Sequence, residues 1–298
     1  MSLFTSCYIV ILFFVSVAVA VADEVSVPRT IISCPKWLQP VCTSSCVIKH
    51  CLPPLYACMK DTVCRSNLEK MGPCMASLKP TDPRYPYACM VPDNKLRNNF
   101  LHCVIQEYKC APIHPGPEYP VCRMSGVLPG GDIHGDTNFS IADMNGIWYK
   151  VRAWKLGEPF ECLGCQRAEF FKTSTGVNFQ SNWTENDINN VPTRMSVMSH
   201  MELRSTGGAG ALENHGSMFG LNYREPYLVV KDASREEEPY LFFYVCGRTM
   251  QGNYTTAFVL ARKPTLSSSV ENEIANVASS IGMNWRDFCT NNNTCFSR

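Results

Sequence analysis

The sequence predicts a mainly β protein: an eight-stranded antiparallel barrel with a C-terminal helix, preceded by a small disulfide-rich helical domain. Three observations predict it. Of the 17 cysteines, 11 lie between Cys34 and Cys122. Eight short runs, separated by turn residues, fill residues 146–262. The period then changes to that of a helix in "SSSVENEIANVASSIGMNWRDFC".

Residues 1–22 carry no charge, and "IVILFFVSVAVAVA" ends in small residues before Asp23. This reads as a secretory-type signal, cut after Ala20 or Ala22. Removing Cys7 with it leaves an even number of cysteines, which argues for disulfides and an oxidising compartment. The chain has 27 basic and 26 acidic residues, a net charge of +1. No basic stripe stands out, which argues against nucleic acid as a partner. No Gly-rich phosphate loop, HExxH motif or Ser/His/Asp spacing appears.

Residues 23–111 form the cysteine-rich domain. Cys46, Cys51, Cys58 and Cys64 fit a helical hairpin with its turn at Pro53-Pro54. In that hairpin Cys51 meets Cys58 and Cys46 meets Cys64 further down. Cys103 and Cys110 bracket "VIQEYK". So small a core needs bridges, each typically worth about 2–4 kcal/mol. Residues 112–137, rich in Pro and Gly, read as a linker.

The barrel region is residues 138–298. Its candidate strands are "GIWYKVRAW", "QRAEFFK", "GVNFQSNWT", "TRMSVMSHMELR", "GALENHGSMF", "PYLVVKD", "YLFFYVCGR" and "YTTAFVLAR". Eight antiparallel strands at this spacing suit an up-and-down barrel around one small ligand. In the helix that follows, Ile274, Val277, Ala278, Ile281, Trp285 and Phe288 share one face. Ser268 with Glu271 reads as its capping box.

Gly146-Ile147-Trp148 and Arg262 resemble the G-x-W signature and closing arginine of lipocalins. A guanidinium over an indole closes a barrel base. Wider motifs resemble one family, violaxanthin de-epoxidase and its de-epoxidase-like relatives. They are the Cys46/Cys51/Cys58/Cys64 spacing, "CVIQEYKCAP", "NFSIADMNGIWY", "CQRAEF", "LENH", "SSIG" and "NTC". The resemblance implies bridges Cys46–Cys64, Cys51–Cys58, Cys103–Cys110 and Cys165–Cys295, and leaves Cys162, Cys246 and Cys289 open.

It also implies chemistry. Such enzymes reduce an epoxide on a xanthophyll ring, with ascorbate as co-substrate and no metal, in the thylakoid lumen. The implied ligand is a xanthophyll or another apolar small molecule, and the implied neighbour is the thylakoid membrane surface. Glu225 is read as the proton donor and Glu161 as its support. Gly164 stands where the resemblance expects a second acid, and Val245 where it expects a tyrosine, with Tyr244 beside it. Trp148, Tyr149, Phe179, His215 and Tyr244 are the candidate ligand contacts. Relatives that isomerise without a reductant, and a non-catalytic carotenoid- or lipid-binding lipocalin, are the alternatives. An extracellular protein is the alternative location, where the sequons at Asn138, Asn182, Asn253 and Asn292 could carry glycans.

Overall fold

The computed structural model describes residues 44–77, 89, 93–111, 121–127, 129–154, 162–186, 191–249 and 252–296. The signal segment, Cys34, Cys42, Glu161 and residues 112–120 of the linker lie outside them. The chain divides into two compact units. One holds residues up to 77 with 93–113 and Phe219–Leu221, the other the remainder. Among the described residues, no helix is long and apolar enough to cross a membrane.

The first unit is helical: α1 (Ser45–His50), α2 (Leu52–Lys60), α3 (Thr62–Ser77), α4 (Lys95–Leu101) and a π-helical turn over His102–Glu107. Its core is small, centred on Val47, Leu55, Leu68, Phe100 and Val104. Bridges run Cys46–Cys110, Cys51–Cys103 and Cys58–Cys64. The three expected N-terminal pairings are therefore corrected, and the reason is local. Pro53 sits in the first turn of α2, where its missing N–H costs no hydrogen bond, so the prolines start a helix instead of turning a hairpin. The turn comes later, at Asp61, whose carboxylate accepts from the Cys64 N–H at 2.7 Å. That turn brings Cys58 to Cys64 and leaves Cys46 and Cys51 to the segment 103–110.

The second unit is the barrel. Its strands are β1 (Gly146–Trp154), β2 (Gly164–Lys172), β3 (Gly176–Asn186), β4 (Pro192–Leu203), β5 (Ala211–Met218), β6 (Leu221–Asp232), β7 (Tyr240–Thr249), β8 (Gly252–Ala261) and the short β9 (Phe288–Thr290). The order β2-β3-β4-β5-β6-β7-β8-β1 closes through a β1–β2 pairing, so eight antiparallel strands form a complete wall. Closure leaves no exposed edge among the eight. β9, which the sequence reading did not include, pairs with the last residues of β1 from Arg152↔Thr290 to Trp154↔Phe288.

The period of two sorts each strand between two cores. Inside are Trp148, Phe170, Val177, Phe179, Met201, Leu212, Val229, Phe243, Val245 and Phe258. Outside, Leu228, Phe242, Tyr244 and Val259 meet helix α5 (Ser268–Ser280) through Ile274 and Ala278. The cap of α5 is Ser267, whose hydroxyl accepts from the Val270 N–H, so Ser268 and Glu271 form no capping box. Glu271 instead pairs with Arg152 on β1. The helix stops at Ser280, and Trp285 and Phe288 reach the same core from a short turn and from β9. From Cys122 onward the Pro/Gly-rich stretch is also fixed to the outer wall. Met124 and Ile133 are buried there, and Cys122 is bridged to Cys246 on β7.

The barrel base shows why Gly146, Trp148 and Arg262 occur together. The Arg262 guanidinium lies 3.8 Å from the centre of the buried Trp148 ring. It also donates to the carbonyls of Ile147, Asp143 and Asn145, at 2.9, 3.1 and 2.7 Å. A Cβ at Gly146 would meet that guanidinium at 3.0 Å, and the positive φ of +96° independently disfavours a side chain. R262A should cost about 2 kcal/mol by leaving these acceptors and the indole face uncovered. Thermal unfolding should show this as a Tm lower by roughly 4–8 °C.

Candidate active site

Strand β6 carries Tyr223, Glu225, Tyr227 and Val229 on one face by alternation, and Tyr227 and Val229 belong to the inner core. Glu225 therefore points into the barrel. The Tyr254 hydroxyl, from β8, donates to Glu225 Oε1. The Asn214 side-chain amide, from β5, donates to Oε2 at 3.3 Å. Next along β6, the Tyr223 hydroxyl is hydrogen-bonded to Ser199 on β4. Carboxyl, two phenols, amide and hydroxyl thus line one patch of the interior wall. Asn214 is 1% exposed, and its Oδ1 has no hydrogen-bond partner. Thr256, next after Tyr254 on the inner face of β8, likewise has an unpartnered buried hydroxyl.

The surroundings are apolar and aromatic. Phe243 and Phe258 stack at 5.0 Å, and Tyr227 meets both edge-on. Phe170 stacks on Phe179 at 4.9 Å. Lys150, on the inner face of β1, lies 4.8 Å over the Phe258 ring. Among the described residues, no group of three or more His, Cys, Asp or Glu could hold a metal ion.

Burial, and secondarily the nearby Glu225 charge, push the Tyr223 phenol up to about 12, against the opposing Ser199 hydrogen bond. Burial also raises Tyr244 on the outer wall, and raises Tyr240, where the Glu273 hydrogen bond adds to it. Raised in the fold, these phenols contribute stability that is fully present below the ordinary phenol value of about 10. It is lost as pH climbs through their folded values. A spectrophotometric titration should leave Tyr223 among the phenols still unionised at pH ~11 while the protein stays folded, and Y223F should lower their number by one.

The residues singled out from sequence separate by face. Trp148 and Phe179 point inward, the first plugging the base and the second lining the wall. Tyr149 packs outward, 5.1 Å from Phe296. Tyr244 lies in the outer core, its hydroxyl accepting from the Arg123 N–H at 3.0 Å. His215 is one residue off the inward-facing Asn214, and its Nε2 sits 3.3 Å from Glu202 on the outer wall. His200, which pairs with it across β4 and β5, bonds Asn178. These three expected contacts, Tyr149, His215 and Tyr244, do not line the interior, because each neighbours a residue that does. Val245 does face in, so β7 supplies no phenol there.

Sequence reading missed Tyr254, Asn214, Tyr223 and Ser199. The signal was present: starting β6 at Leu221 puts Tyr223 and Glu225 on one face with Tyr227. The proline at 226 hid it, since a proline reads as a strand's first residue.

A model of the VDE lipocalin domain, the lipocalin domain of violaxanthin de-epoxidase, matches residues 43–293. The chain belongs to this family. Chloroplastic violaxanthin de-epoxidase from Arabidopsis thaliana is 26% identical over 259 residues, covering 85% of this chain and 53% of that protein. The Spinacia oleracea enzyme is 25% identical, covering 85% and 52%. The chain thus spans about half the length of the curated relatives it matches. Among solved structures, lobster apocrustacyanin A1 is 13% identical with a TM-score of 0.40, covering 55% of this chain and 92% of its own. Insecticyanin from the tobacco hornworm Manduca sexta is 15% identical with a TM-score of 0.45, covering 56% and 87%. Within the barrel, Cys165–Cys295 is formed as the resemblance implied, and Cys162 pairs with Cys289.

Proposed function

We propose that this VDE-family barrel binds one end of a xanthophyll epoxide and opens the epoxide by acid assistance from Glu225. One observation carries the reading: an inward-facing carboxyl held by a phenol and an amide, on a wall lined mostly by aromatic and aliphatic side chains. A long polyene needs apolar, aromatic walls with a few polar groups at the reacting end. Glu225 in its acid form donates to the epoxide oxygen and loosens the C–O bond. Tyr254 and Asn214 then steady the carboxylate left behind. The hydroxyls of Tyr223 and Ser199 are the nearby groups suited to a small enediol reductant such as ascorbate. When bound, the reductant supplies two electrons and two protons, so that the epoxide becomes an alkene and its oxygen leaves as water.

A second outcome is favoured by Val245 on β7, where the sequence resemblance expects a phenol. The opened ring loses a proton from a neighbouring carbon, giving a redox-neutral isomer. Both readings, and a plastid location in keeping with the chloroplastic relatives, are tested with oxidised protein and violaxanthin at mildly acidic pH. Product that requires ascorbate supports reduction, and product without it supports isomerisation. A bound-pigment spectrum with no product would leave a carrier and overturn the catalytic reading. Import of the full chain into isolated plastids tests the location.

A further inference from the structure

Two of the inward tyrosines have an unusual reach. Tyr254 stands on β8, yet its hydroxyl meets Glu225 on β6, two strands away. Tyr223 stands on β6, yet its hydroxyl meets Ser199 on β4, again two strands away. Each side chain therefore leans over the strand between, with the Tyr254 Cζ, Cε1 and hydroxyl and the Tyr223 Cζ and hydroxyl lying where that strand would otherwise carry a side chain. The intervening residue is glycine both times. Gly247 on β7 is registered against Tyr254, and Gly216 on β5 against Ser199.

A Cβ at Gly247 would fall inside 3.0 Å of three Tyr254 atoms, two of them in the ring. A Cβ at Gly216 would do the same to the Tyr223 hydroxyl and its ring carbon, and would sit 2.6 Å from Ser199 Oγ. No real Cβ tolerates such approach, and Tyr254, 9% exposed, has little room to retreat.

We infer that Gly247 and Gly216 are positioning residues of the site: two notches in the barrel wall that let Tyr254 and Tyr223 lie across neighbouring strands and reach Glu225 and Ser199. This explains how the barrel presents a phenol to Glu225 although β7 has Val245 on its inner face. The notch moves the source of the phenol from β7 to β8. It rests on the proposed chemistry for its kinetic consequence, but not for its geometry.

G247A should therefore lower kcat for the xanthophyll epoxide by as much as Y254F, about 10- to 100-fold, while pigment Kd stays within about threefold. In a Y254L background, where no ring crosses β7, G247A should cost nothing further in kcat or Tm. Should G247A alone fail to fold, Y254L must restore the fold. A G247A chain with full turnover, or one that loses as much again with Y254L present, overturns the inference.

Coupling between E225L and Y254F, each of which removes the hydrogen bond, read as non-additive Tm shifts, separates this result from the function. It should be measurable in the native sequence and vanish with G247A, whether or not the protein turns over pigment. Additive shifts in the native sequence would also overturn it.

Discussion

E225Q is expected to lower turnover of a xanthophyll epoxide by about 10²–10⁴-fold, the usual range for removing a positioned general acid. Pigment binding should change little. Glutamine keeps the shape of glutamate, and its one carbonyl oxygen can still accept from Tyr254, while its amide nitrogen can donate to Asn214 once the Asn214 amide turns its free oxygen inward, so the wall and its aromatic lining stay in place. What it lacks is a proton that can be released to an oxygen and recovered. The variant therefore separates the proton from the geometry. The measurement is single-turnover conversion at mildly acidic pH, with binding followed by the pigment's absorption shift. Unchanged turnover would remove Glu225 as the donor.

Y254F is the companion. It keeps the ring and removes one hydrogen bond to the conjugate base, so its loss should be smaller, about 10- to 100-fold. Glu213, which directly precedes Asn214 on β5, is a suitable control. It faces the outer wall and is held by Arg204 at 3.1 Å and Arg224 at 2.9 Å. An effect of E213Q should therefore appear in Tm and not in kcat.

The barrel was legible because its physics is local. Strand β1 was read with its observed limits, since alternation and a bounding glycine both mark it. The helix α5 was legible as a stripe, but its cap was displaced by one residue. Three consecutive serines, Ser267 to Ser269, offer the same hydroxyl, and only backbone geometry chooses Ser267. The bridges of the helical unit were not legible, because spacing constrains pairing only once the turn is known, and Pro53-Pro54 has the composition of a turn while it opens a helix.

The candidate site was half legible. Glu225 could be found from its own segment and the family resemblance. Its partners come from β5 and β8, and which side chains meet there depends on register around a closed wall. A shift of one residue sends a side chain to the opposite face, which is why Tyr149, His215 and Tyr244 stand outside while their neighbours stand within. The role of Gly216 and Gly247 is invisible to any pattern of side chains, since it consists of space.

The largest effect on stability should come from the sulfur links that tie the ends of the barrel together. Cys162–Cys289 and Cys165–Cys295 close loops of sequence separation 127 and 130. A first cross-link of that span is worth about 5 kcal/mol in the chain-entropy picture. The second adds less. With one bridge in place, the other closes a ring of only about ten residues and adds about 3 kcal/mol. Losing either pair alone, as C162A/C289A or C165A/C295A, should therefore cost about 3 kcal/mol. Losing both should cost roughly 7–8 kcal/mol, clearly more than the two separate losses added together. Cys122–Cys246 does little to shorten this span, because its own separation of 124 residues only partly overlaps it. Against the 5–15 kcal/mol typical of a folded domain, the quadruple variant should be largely unfolded at 37 °C, while each double variant stays folded. Urea unfolding of the three proteins tests this. Additive losses would mean that the bridges act by fixing local geometry around β9 and not by restraining the unfolded chain.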